Sequence, residues 1–304
     1  MNGPRPLLIV ITGPTASGKS ALAVDVASRL GCDIVSADSR QIYRGISIGT
    51  AAPTSGQLAA VRHHFVGVLD LDEYYSAARY EAEALKLLGE LFAQNDVAVM
   101  CGGSMMYVDA VTDGIDRLPD ISDATRSRVR SLYESGGLDA LVGWLETIDP
   151  EYAAEADLRN PRRVAHAIEI TLEAGQPYSS LRRRATSPRP FDIVKVALDL
   201  PRERLFDRIN RRVGAMMEAG LLDEARRVYP LRHLNSLNTV GYKELFAFLD
   251  GAMPLDTAVA RIAKNTRVYA KKQLTWLARP SVRRPVWLPE NSTASDVLRA
   301  AGCL

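Results

Sequence analysis

Residues 7–20 read LLIVITGPTASGKS, and this stretch decides the fold. The apolar run at 7–11 is continuous, which is typical of a strand buried on both faces of a parallel sheet. A glycine, four further residues and Gly-Lys-Ser follow, and apolar residues then recur at helical spacing through residue 30. A strand, a glycine-rich loop and a helix in this order predict a phosphate-binding loop.

The residue types of this loop suit the binding of phosphate. Glycines let backbone N–H groups turn inward around phosphate oxygens, and the following helix adds the positive end of its dipole. Lys19 would bridge two phosphates, and Ser20 would place its hydroxyl on Mg²⁺. The predicted phosphate-binding residues are Gly13, Pro14, Thr15, Ala16, Ser17, Gly18, Lys19 and Ser20.

Further apolar runs of strand length occur at 33–37, 63–69, 96–101 and 191–198. Strands that alternate with helices predict an α/β fold, here a P-loop NTPase-like parallel sheet with flanking helices. Ligands of such sheets bind beyond the carboxyl ends of the strands. Gly13, Asp38 and Gly102 all follow predicted strands, so we expect the site at that edge of the sheet.

The pattern changes after residue 117. Pro119 is followed by four stretches of helical periodicity through residue 174, and a basic connector, LRRRATSPRP, closes the segment at 181–190. Pro201 then stands where the first residue of a long helix is expected. We predict a catalytic core formed by 1–117 and 191–304, with basic carboxyl-terminal helices, and an inserted all-helical domain at 118–190.

Composition argues against several classes of protein. No apolar run approaches the ~20 residues that span a bilayer, and the amino-terminal run enters the loop without a signal-peptide cleavage site. Cys32, Cys101 and Cys303 are far apart and lack metal-ligand spacing. We expect a cytoplasmic protein with reduced thiols and no membrane partner.

The net charge of +2 conceals an uneven distribution. Residues 1–116 hold 8 Lys and Arg against 13 Asp and Glu, whereas residues 191–304 hold 19 against 12. A basic carboxyl-terminal third suits a polyanionic partner on one side of the molecule. Solvated faces of arginine-rich helices explain the distribution equally well, so composition alone leaves the partner open.

The strand at 96–101 does not end in an acidic residue, and this favours a transferase over a hydrolase. Hydrolytic P-loop proteins usually hold magnesium through an acid at the end of a second strand, but the strand at 96–101 runs into Gly102, Gly103 and Ser104. Asp38 is the first acid at the carboxyl end of a strand. It suits a general base or an outer partner of magnesium, with a turn cap as the alternative.

Several stretches together resemble the bacterial tRNA dimethylallyltransferases, also called tRNA isopentenyltransferases. They are GPTASGKS at 13–20, ADSRQIYRGISIGTA at 37–51, CGGSMMYVDAVTDGI at 101–115, NPRRVAHAIEI at 160–170, NTVGYKE at 238–244 and TRVYAKKQLTWL at 266–277. Their order and spacing match that family from about residue 7 to about residue 288. The loop alone is unspecific, but the other blocks are not shared by P-loop families generally.

The resemblance implies transfer of a dimethylallyl group from dimethylallyl diphosphate to N6 of adenosine 37 in tRNA. The products would be N6-isopentenyladenosine and diphosphate. Asp38 matches the family's catalytic aspartate and would act as general base, while Lys19 and Mg²⁺ would offset charge on the leaving diphosphate. Ser104 stands where the family usually has threonine, and it keeps a hydroxyl for the diphosphate or the acceptor amine.

The resemblance also implies contacts with the tRNA anticodon stem-loop. The acceptor base must leave the stacked loop, and arginines and aromatic rings can read single-stranded RNA. The candidates are Asp38, Ser39, Arg40, Gln41, Ser104, Arg126, Arg162, Arg163, Val164, Ala165, His166, Asn238, Thr239, Val240, Gly241, Tyr242 and Lys243. Among Arg208, Arg211 and Arg212 we expect at least one to reach the diphosphate, and we choose Arg208. We expect a monomer.

Two departures from the family pattern leave roles open. Ala52 replaces the lysine common in GTAKP, and His166 stands where arginine is common. An adenylate isopentenyltransferase acting on AMP, ADP or ATP is one alternative, and a small-molecule kinase using ATP is another. A nucleotide-switched RNA-binding protein is a non-enzymatic alternative. The helical insertion and the basic third favour tRNA over a mononucleotide, and a kinase leaves the blocks at 238–244 and 266–277 unexplained.

Overall fold

The computed structural model describes residues 5–116, 118–182, 186–280 and 283–304. Six strands in these ranges form one sheet, and every pairing in it is parallel. The strands are β1 (Leu7–Thr12), β2 (Ile34–Ser36), β3 (His63–His64), β4 (Val97–Cys101), β5 (Asp192–Asp199) and β6 (Val286–Pro289). Their spatial order is β3-β2-β4-β1-β5-β6, which places β1 between β4 and β5.

Helices make up most of the remaining described structure. They are α1 (Lys19–Leu30), α2 (Ser55–Ala60), α3 (Ala77–Phe92), α4 (Met105–Thr112), α5 (Asp123–Ile148), α6 (Pro150–Glu155), α7 (Pro161–Ala174), α8 (Tyr178–Leu181), α9 (Arg202–Glu218), α10 (Leu221–Val228), α11 (Tyr242–Leu249), α12 (Leu255–Leu277) and α13 (Ala294–Ala300). Short 3-10 turns lie at Tyr229–Leu231 and Asn235–Leu237. Within the described ranges, no helix combines the length and apolar character needed to cross a bilayer.

The apolar run of β1 is continuous because both of its faces are buried. Leu8 and Val10 belong to one core, shared with α3, α4 and α11. Ile9 and Ile11 belong to a second core, shared with α1 and α13. All four side chains are fully buried, so alternate residues of the strand contact opposite helical layers. The predicted α/β sheet with helices on both faces is confirmed.

The carboxyl ends of three strands meet at one edge of the sheet. Cys101 of β4 is in register with Ile11 of β1 and with Ser36 of β2. The loops after these strands therefore lie side by side. Gly102 has no room for a side chain, since a Cβ there would lie 2.1 Å from the carbonyl oxygen of Ala37. This close approach brings the Asp38 loop against the start of α4.

Two predicted element boundaries were wrong. The strand expected at 63–69 ends at His64, because Phe65 and Gly67 adopt left-handed φ values of 62° and 59° that extended structure excludes. Leu69 makes only an isolated bridge, to Tyr43. Pro201 precedes α9 as its N-cap and is not its first residue, since its ψ of 135° is extended.

The chain divides into two compact units, Met1–Asp113 with Pro188–Leu304, and Gly114–Ser187. Our predicted boundaries lay at 117/118 and 190/191. The Asp113 carboxylate accepts a hydrogen bond from Lys195 at 3.1 Å, and Arg189 donates to the carbonyl oxygen of Val111 at 2.9 Å. These contacts attach the segments on either side of residues 114–187 to the larger unit.

The smaller unit has its own hydrophobic core. α5 and α7 contribute side chains to it, among them Leu141 and Val164, which are fully buried. Helical backbone geometry is interrupted inside α5 at Gly137, whose φ is 65° and ψ is −162°. The described residues of this unit, 114–116, 118–182 and 186–187, contain helices and no strand. The unit is thus an independent helical body inserted into the α/β core.

Candidate active site

The loop between β1 and α1 has the backbone geometry of an anion-binding turn. Gly13, Ala16 and Gly18 all have positive φ, at 147°, 65° and 99°. Ala16 is not a glycine, and a left-handed conformation costs such a residue about 1–3 kcal/mol, a strain that clusters at functional sites. No side chain caps α1 at Gly18, so the first N–H groups of the helix are available to an anion.

Lys19 supplies a cation inside this loop. Its Nζ donates a hydrogen bond to the carbonyl oxygen of Pro14 at 3.3 Å. Burial lowers the pKa of Lys19, and Arg212 lowers it further, whereas Cys101 and Asp38 oppose the decrease. A buried ammonium beside a second cation is stabilised by an anion, which would restore its affinity for the proton.

The second cation comes from α9 and is Arg212. Its Nη1 donates to Thr15 Oγ1 at 3.1 Å, and the residue lines the cavity beside the loop. Arg208 lies one helical turn away, where it donates to the carbonyl oxygen of Ser17 at 3.0 Å and pairs with Glu290 at 3.0 Å. Our choice of Arg208 for the diphosphate is not favoured by this arrangement, because Arg212 is the arginine that the cavity exposes.

The cavity has a volume of about 660 Å³ and lies at the carboxyl edge of the sheet. One part of its lining is polar and includes Lys19, Ser20, Asp38 and Arg212. Another part is apolar and consists of Ile48, Ala51, Ala52, Pro53, Ala215, Met216 and Ala219. A ligand with an anionic head and a short apolar tail matches this division.

Asp38 lies in the cavity on a turn that holds its carboxylate in place. Oδ1 accepts hydrogen bonds from the backbone N–H of Arg40 at 2.9 Å and of Gln41 at 3.2 Å. The turn-capping role that we kept as the alternative is therefore present. Because both contacts use Oδ1, capping and a chemical role for Oδ2 are compatible.

Ser104 acts on the same turn from the other side. Its side chain is buried, and its Oγ accepts a hydrogen bond from the N–H of Ser39 at 2.8 Å and contacts Ser39 Oγ at 3.2 Å. Ser104 lies outside the lining of the cavity. The hydroxyl therefore braces the residue next to Asp38.

Two further residues of the cavity were missed as site residues in the sequence. Tyr269 and Gln273 both line it from α12. Burial raises the pKa of Tyr269 to about 12, with Asp38 contributing to the increase. Gln273 contacts the phosphate loop and Gly103. Both residues belong to the block TRVYAKKQLTWL, which the sequence analysis had linked to the family. The block alone does not show which of its side chains reach the cavity.

Arg40 and Gln41 are engaged in bracing loops. Arg40 Nη1 donates to the carbonyl oxygens of Asn235 at 2.8 Å and Ser236 at 3.1 Å. Gln41 lines the cavity and its Nε2 donates to the carbonyl oxygen of Ala51 at 3.0 Å. These side chains connect the Asp38 turn to its neighbours.

Two of the predicted RNA contacts are inaccessible. Tyr242 is fully buried and its hydroxyl donates to Glu224 Oε1 at 2.6 Å. Val164 is fully buried in the core of the smaller unit. Fully buried side chains cannot contact RNA, so the prediction is wrong for both. The sequence blocks identified the right segments, but not which face of each helix is exposed.

The remaining predicted RNA contacts fall into two groups. In the larger unit, Asn238, Thr239 and Val240 are partly exposed, Gly241 is buried at the start of α11, and Lys243 is exposed. In the smaller unit, the exposed or partly exposed side chains are Arg126, Arg162, Arg163, Ala165 and His166. Although His166 is exposed, partial desolvation of its ring by neighbouring atoms lowers its pKa, and the nearby Arg126 adds to the decrease.

The donor set of the cavity fits a magnesium ion. Ser20 contributes a hydroxyl and Asp38 a carboxylate, and the described residues include no group of three or more His, Cys, Asp and Glu arranged for a metal. Mg²⁺ is typically held by one or two protein oxygens, with water and substrate phosphate oxygens completing its shell. The cavity therefore suits a metal that arrives with a phosphate ligand.

The fold is a parallel sheet, and the cavity at its edge combines a phosphate loop, two cations, a carboxylate and apolar lining residues. These features define a P-loop protein of the group-transfer class. The family model described as IPP transferase matches residues 41–280. The chain is 53% identical over 272 residues to tRNA dimethylallyltransferase 1 of Phocaeicola vulgatus, covering 90% of this chain and 91% of that protein. It is 51% identical over 289 residues to tRNA dimethylallyltransferase 1 of Bacteroides thetaiotaomicron, covering 95% and 93%. The chain belongs to the IPP transferase family.

Solved structures agree with this assignment. The full-length tRNA isopentenylpyrophosphate transferase of Bacillus halodurans superposes with a TM-score of 0.71 at 34% identity, covering 98% of this chain and 95% of that one. A eukaryotic dimethylallyltransferase, solved acting on tRNA, has a TM-score of 0.78 at 23% identity and covers 94% and 74%. At that identity the second comparison supports the fold alone. The resemblance read from the sequence is confirmed.

Proposed function

We propose that this protein transfers the dimethylallyl group of dimethylallyl diphosphate to N6 of adenosine 37 in tRNA. The observation that carries the proposal is the cavity, whose lining combines Lys19, Arg212 and Asp38, which interact electrostatically, with several apolar side chains. The two relatives described above are named tRNA dimethylallyltransferases. The cavity matches both parts of the donor.

The donor diphosphate would bind at the phosphate loop. Three kinds of group would bind this anion. They are the first backbone N–H groups of α1, the Lys19 ammonium and the Arg212 guanidinium. As the C–O bond of the donor breaks, negative charge grows on the diphosphate, and these groups stabilise that charge more strongly than they stabilise the bound donor. Bound Mg²⁺, held by the Ser20 hydroxyl together with water and diphosphate oxygens, would supply further charge neutralisation.

In the attack by the acceptor amine, Asp38 would act as the general base. The lone pair of N6 is delocalised into the adenine ring, so the amine is a weak nucleophile. A bond forms between N6 and the dimethylallyl carbon, the C–O bond to the diphosphate breaks, and one N6 proton passes to Asp38 Oδ2. The two N–H contacts to Oδ1 keep the carboxylate oriented during this transfer. General-base help of this kind typically contributes ~10²–10⁴-fold.

The tRNA anticodon stem-loop would contact exposed or partly exposed side chains, most of them basic. Candidate contacts are Arg40, Lys243, Arg126, Arg162, Arg163 and His166. Asp38, Ser39 and Gln41 would meet the acceptor nucleotide through the turn that they form, and Ser104 would support that turn. Tyr269, with its hydroxyl near Gly103 and its ring in the cavity lining, is suited to contact the flipped base. We propose that the protein acts on tRNA in the cytoplasm, and we retain the monomer as a prediction.

The adenylate isopentenyltransferase and the kinase make different predictions. Purified protein is offered dimethylallyl diphosphate and Mg²⁺ with an unmodified anticodon stem-loop, and separately with AMP. A third reaction replaces the prenyl donor with ATP. We expect N6-isopentenyladenosine in the RNA, measured by mass spectrometry of nucleosides. Prenylation of AMP but not of RNA would overturn the proposal in favour of the adenylate enzyme, and phosphate transfer from ATP would favour the kinase.

A further inference from the structure

Gln273 of α12 joins two active-site loops that are remote in sequence. Its Oε1 accepts a hydrogen bond from the backbone N–H of Thr15 at 2.8 Å, and its Nε2 donates to the carbonyl oxygen of Gly103 at 2.8 Å. The residue is only 2% exposed. One carboxamide thus satisfies a donor on the phosphate loop after β1 and an acceptor on the loop after β4.

The fit between Gln273 and Gly103 is tight. A Cβ on Gly103 would lie 2.4 Å from Nε2 of Gln273 and 3.3 Å from the carbonyl oxygen of Gly13. Neither the glutamine nor the backbone of the phosphate loop could remain in place beside a larger residue. The phosphate loop and the loop after β4 therefore approach each other closely at this contact.

The contact links the donor end of the cavity to the base. Thr15, which donates to Gln273, also accepts the hydrogen bond of Arg212. On the other side, Gly103 precedes Ser104, whose Oγ holds the N–H of Ser39 next to Asp38. Hydrogen bonds and short stretches of backbone therefore connect Arg212 to the turn that carries Asp38, with Gln273 at the centre of this connection.

We propose that Gln273 is a positioning residue for prenyl transfer, one that sets the position of the Asp38 turn relative to the donor held by the phosphate loop. This inference rests on the proposed function, because prenyl transfer is the reaction it affects. Gln273 contacts neither reacting atom in this scheme. Its loss should therefore reduce turnover more than donor affinity, because Lys19 and Arg212 still bind the diphosphate.

The chemistry of the carboxamide permits a specific test. In Gln273→Glu, an ionised carboxylate can still accept from Thr15, but it faces the carbonyl oxygen of Gly103 without a proton to donate. Burial and that oxygen favour the protonated form and raise the carboxyl pKa, and the protonated form can donate again. Gln273→Met fills a similar volume, makes neither hydrogen bond and has no proton to gain.

The experiment measures kcat and the KM for dimethylallyl diphosphate across pH for the full-length wild type, Gln273→Glu and Gln273→Met. Gln94→Glu, at an exposed position, is the matched control. We expect kcat to fall by up to ~10²-fold in both Gln273 variants, the scale set by a small misplacement of reacting groups, with a smaller change in KM. The ratio of Gln273→Glu to wild-type kcat should rise as the pH falls, while that of Gln273→Met should not.

Hydrogen exchange of the Thr15 amide tests the contact without any substrate. We expect faster exchange in Gln273→Met and near-wild-type exchange in Gln273→Glu, which keeps the acceptor. Unchanged exchange in Gln273→Met, or unchanged kcat in both variants, would overturn the inference. The inference would also be overturned if kcat fell by the same factor in Gln273→Glu and Gln273→Met at every pH. If the wild type does not prenylate RNA, the proposed function fails, and the exchange result separately reports whether Gln273 joins the loops.

Discussion

The Oγ of Ser104 lies 2.8 Å from the backbone nitrogen of Ser39 and accepts its hydrogen bond. Ser39 follows Asp38 directly, and Ser104 is the N-cap of α4, so the start of this helix is attached to the turn that carries the proposed base. The two serines are 65 positions apart in sequence. The hydroxyl that we expected to contact substrate supports the turn that carries Asp38 in this structure.

Removal of this hydroxyl should therefore affect both stability and turnover. Ser104→Ala removes the acceptor of the Ser39 N–H, which is only partly buried, and a hydrogen bond of this kind contributes about 0.5–1.5 kcal/mol. We expect a decrease of this size in the free energy of unfolding, measured by urea denaturation, together with a lower kcat. Ser104→Thr keeps the hydroxyl and serves as the control. A loss of kcat with unchanged stability would instead indicate direct contact with substrate.

Substitution of the base should separate donor binding from chemistry. Asp38→Asn keeps an oxygen that can accept from Arg40 and Gln41, but the amide cannot take a proton from N6. We expect kcat to fall by about 10²–10⁴-fold, with little change in the affinity for dimethylallyl diphosphate measured by calorimetry in the absence of Mg²⁺. Asp25→Asn, at an exposed position of α1, is the control. Wild-type turnover in Asp38→Asn would contradict the role of base.

Deprotonation of Lys19 should weaken donor binding at alkaline pH. Its pKa is lowered by burial, so the ammonium loses its proton at a lower pH than an exposed lysine does. Diphosphate binds the charged form, and the dissociation constant should therefore rise as the pH increases through this pKa. Calorimetric titration across pH measures the effect. In Lys19→Ala we expect weaker binding at neutral pH, lower turnover and no such rise, and the same rise in this variant would assign it to another group.

The two arginines of α9 should differ in their effect on the donor. Arg212→Met removes a charged hydrogen-bond donor from the cavity, and such a contact contributes about 1.5–3 kcal/mol, or roughly 10- to 100-fold in affinity. Arg208→Met is the matched comparison, because that side chain braces the phosphate loop through the carbonyl oxygen of Ser17. We expect the larger loss of donor affinity in Arg212→Met. The opposite order would restore Arg208 as the diphosphate ligand.

Tyr242 and Lys243 are adjacent but should have separable roles. Tyr242→Phe leaves the buried Glu224 carboxylate without one of its donors, and we expect a decrease of about 1–3 kcal/mol in the free energy of unfolding. RNA affinity and its dependence on salt should be unchanged.

Lys243 is exposed, and we propose that it contacts RNA. In Lys243→Ala, the slope of log affinity against log salt should decrease by about one, with stability unchanged. Fluorescence anisotropy of a labelled anticodon stem-loop measures both variants. A reduced slope in Tyr242→Phe would show that our correction of its role is mistaken.

Much of this fold follows from the sequence because its causes are local. The apolar run of β1, the positive-φ glycines at 13 and 18 and the start of α1 at Lys19 act within a few residues of one another. The quoted blocks likewise identified the family. Where local signals were weak, prediction failed, as at 63–69, where the left-handed φ of Phe65 is not encoded by a glycine.

The candidate site divides in the same way. Sequence alone determined that this chain has a phosphate loop with Lys19 and Ser20, that an aspartate follows β2, and which family it belongs to, since these depend on residue types and spacing along the chain. Only the tertiary structure decided that Arg212 and not Arg208 lines the cavity, that Tyr242 is buried, and that Gln273 contacts a loop 258 positions away. Such contacts depend on how helices pack against the sheet, and a shift of one residue along a helix turns a side chain by about 100°.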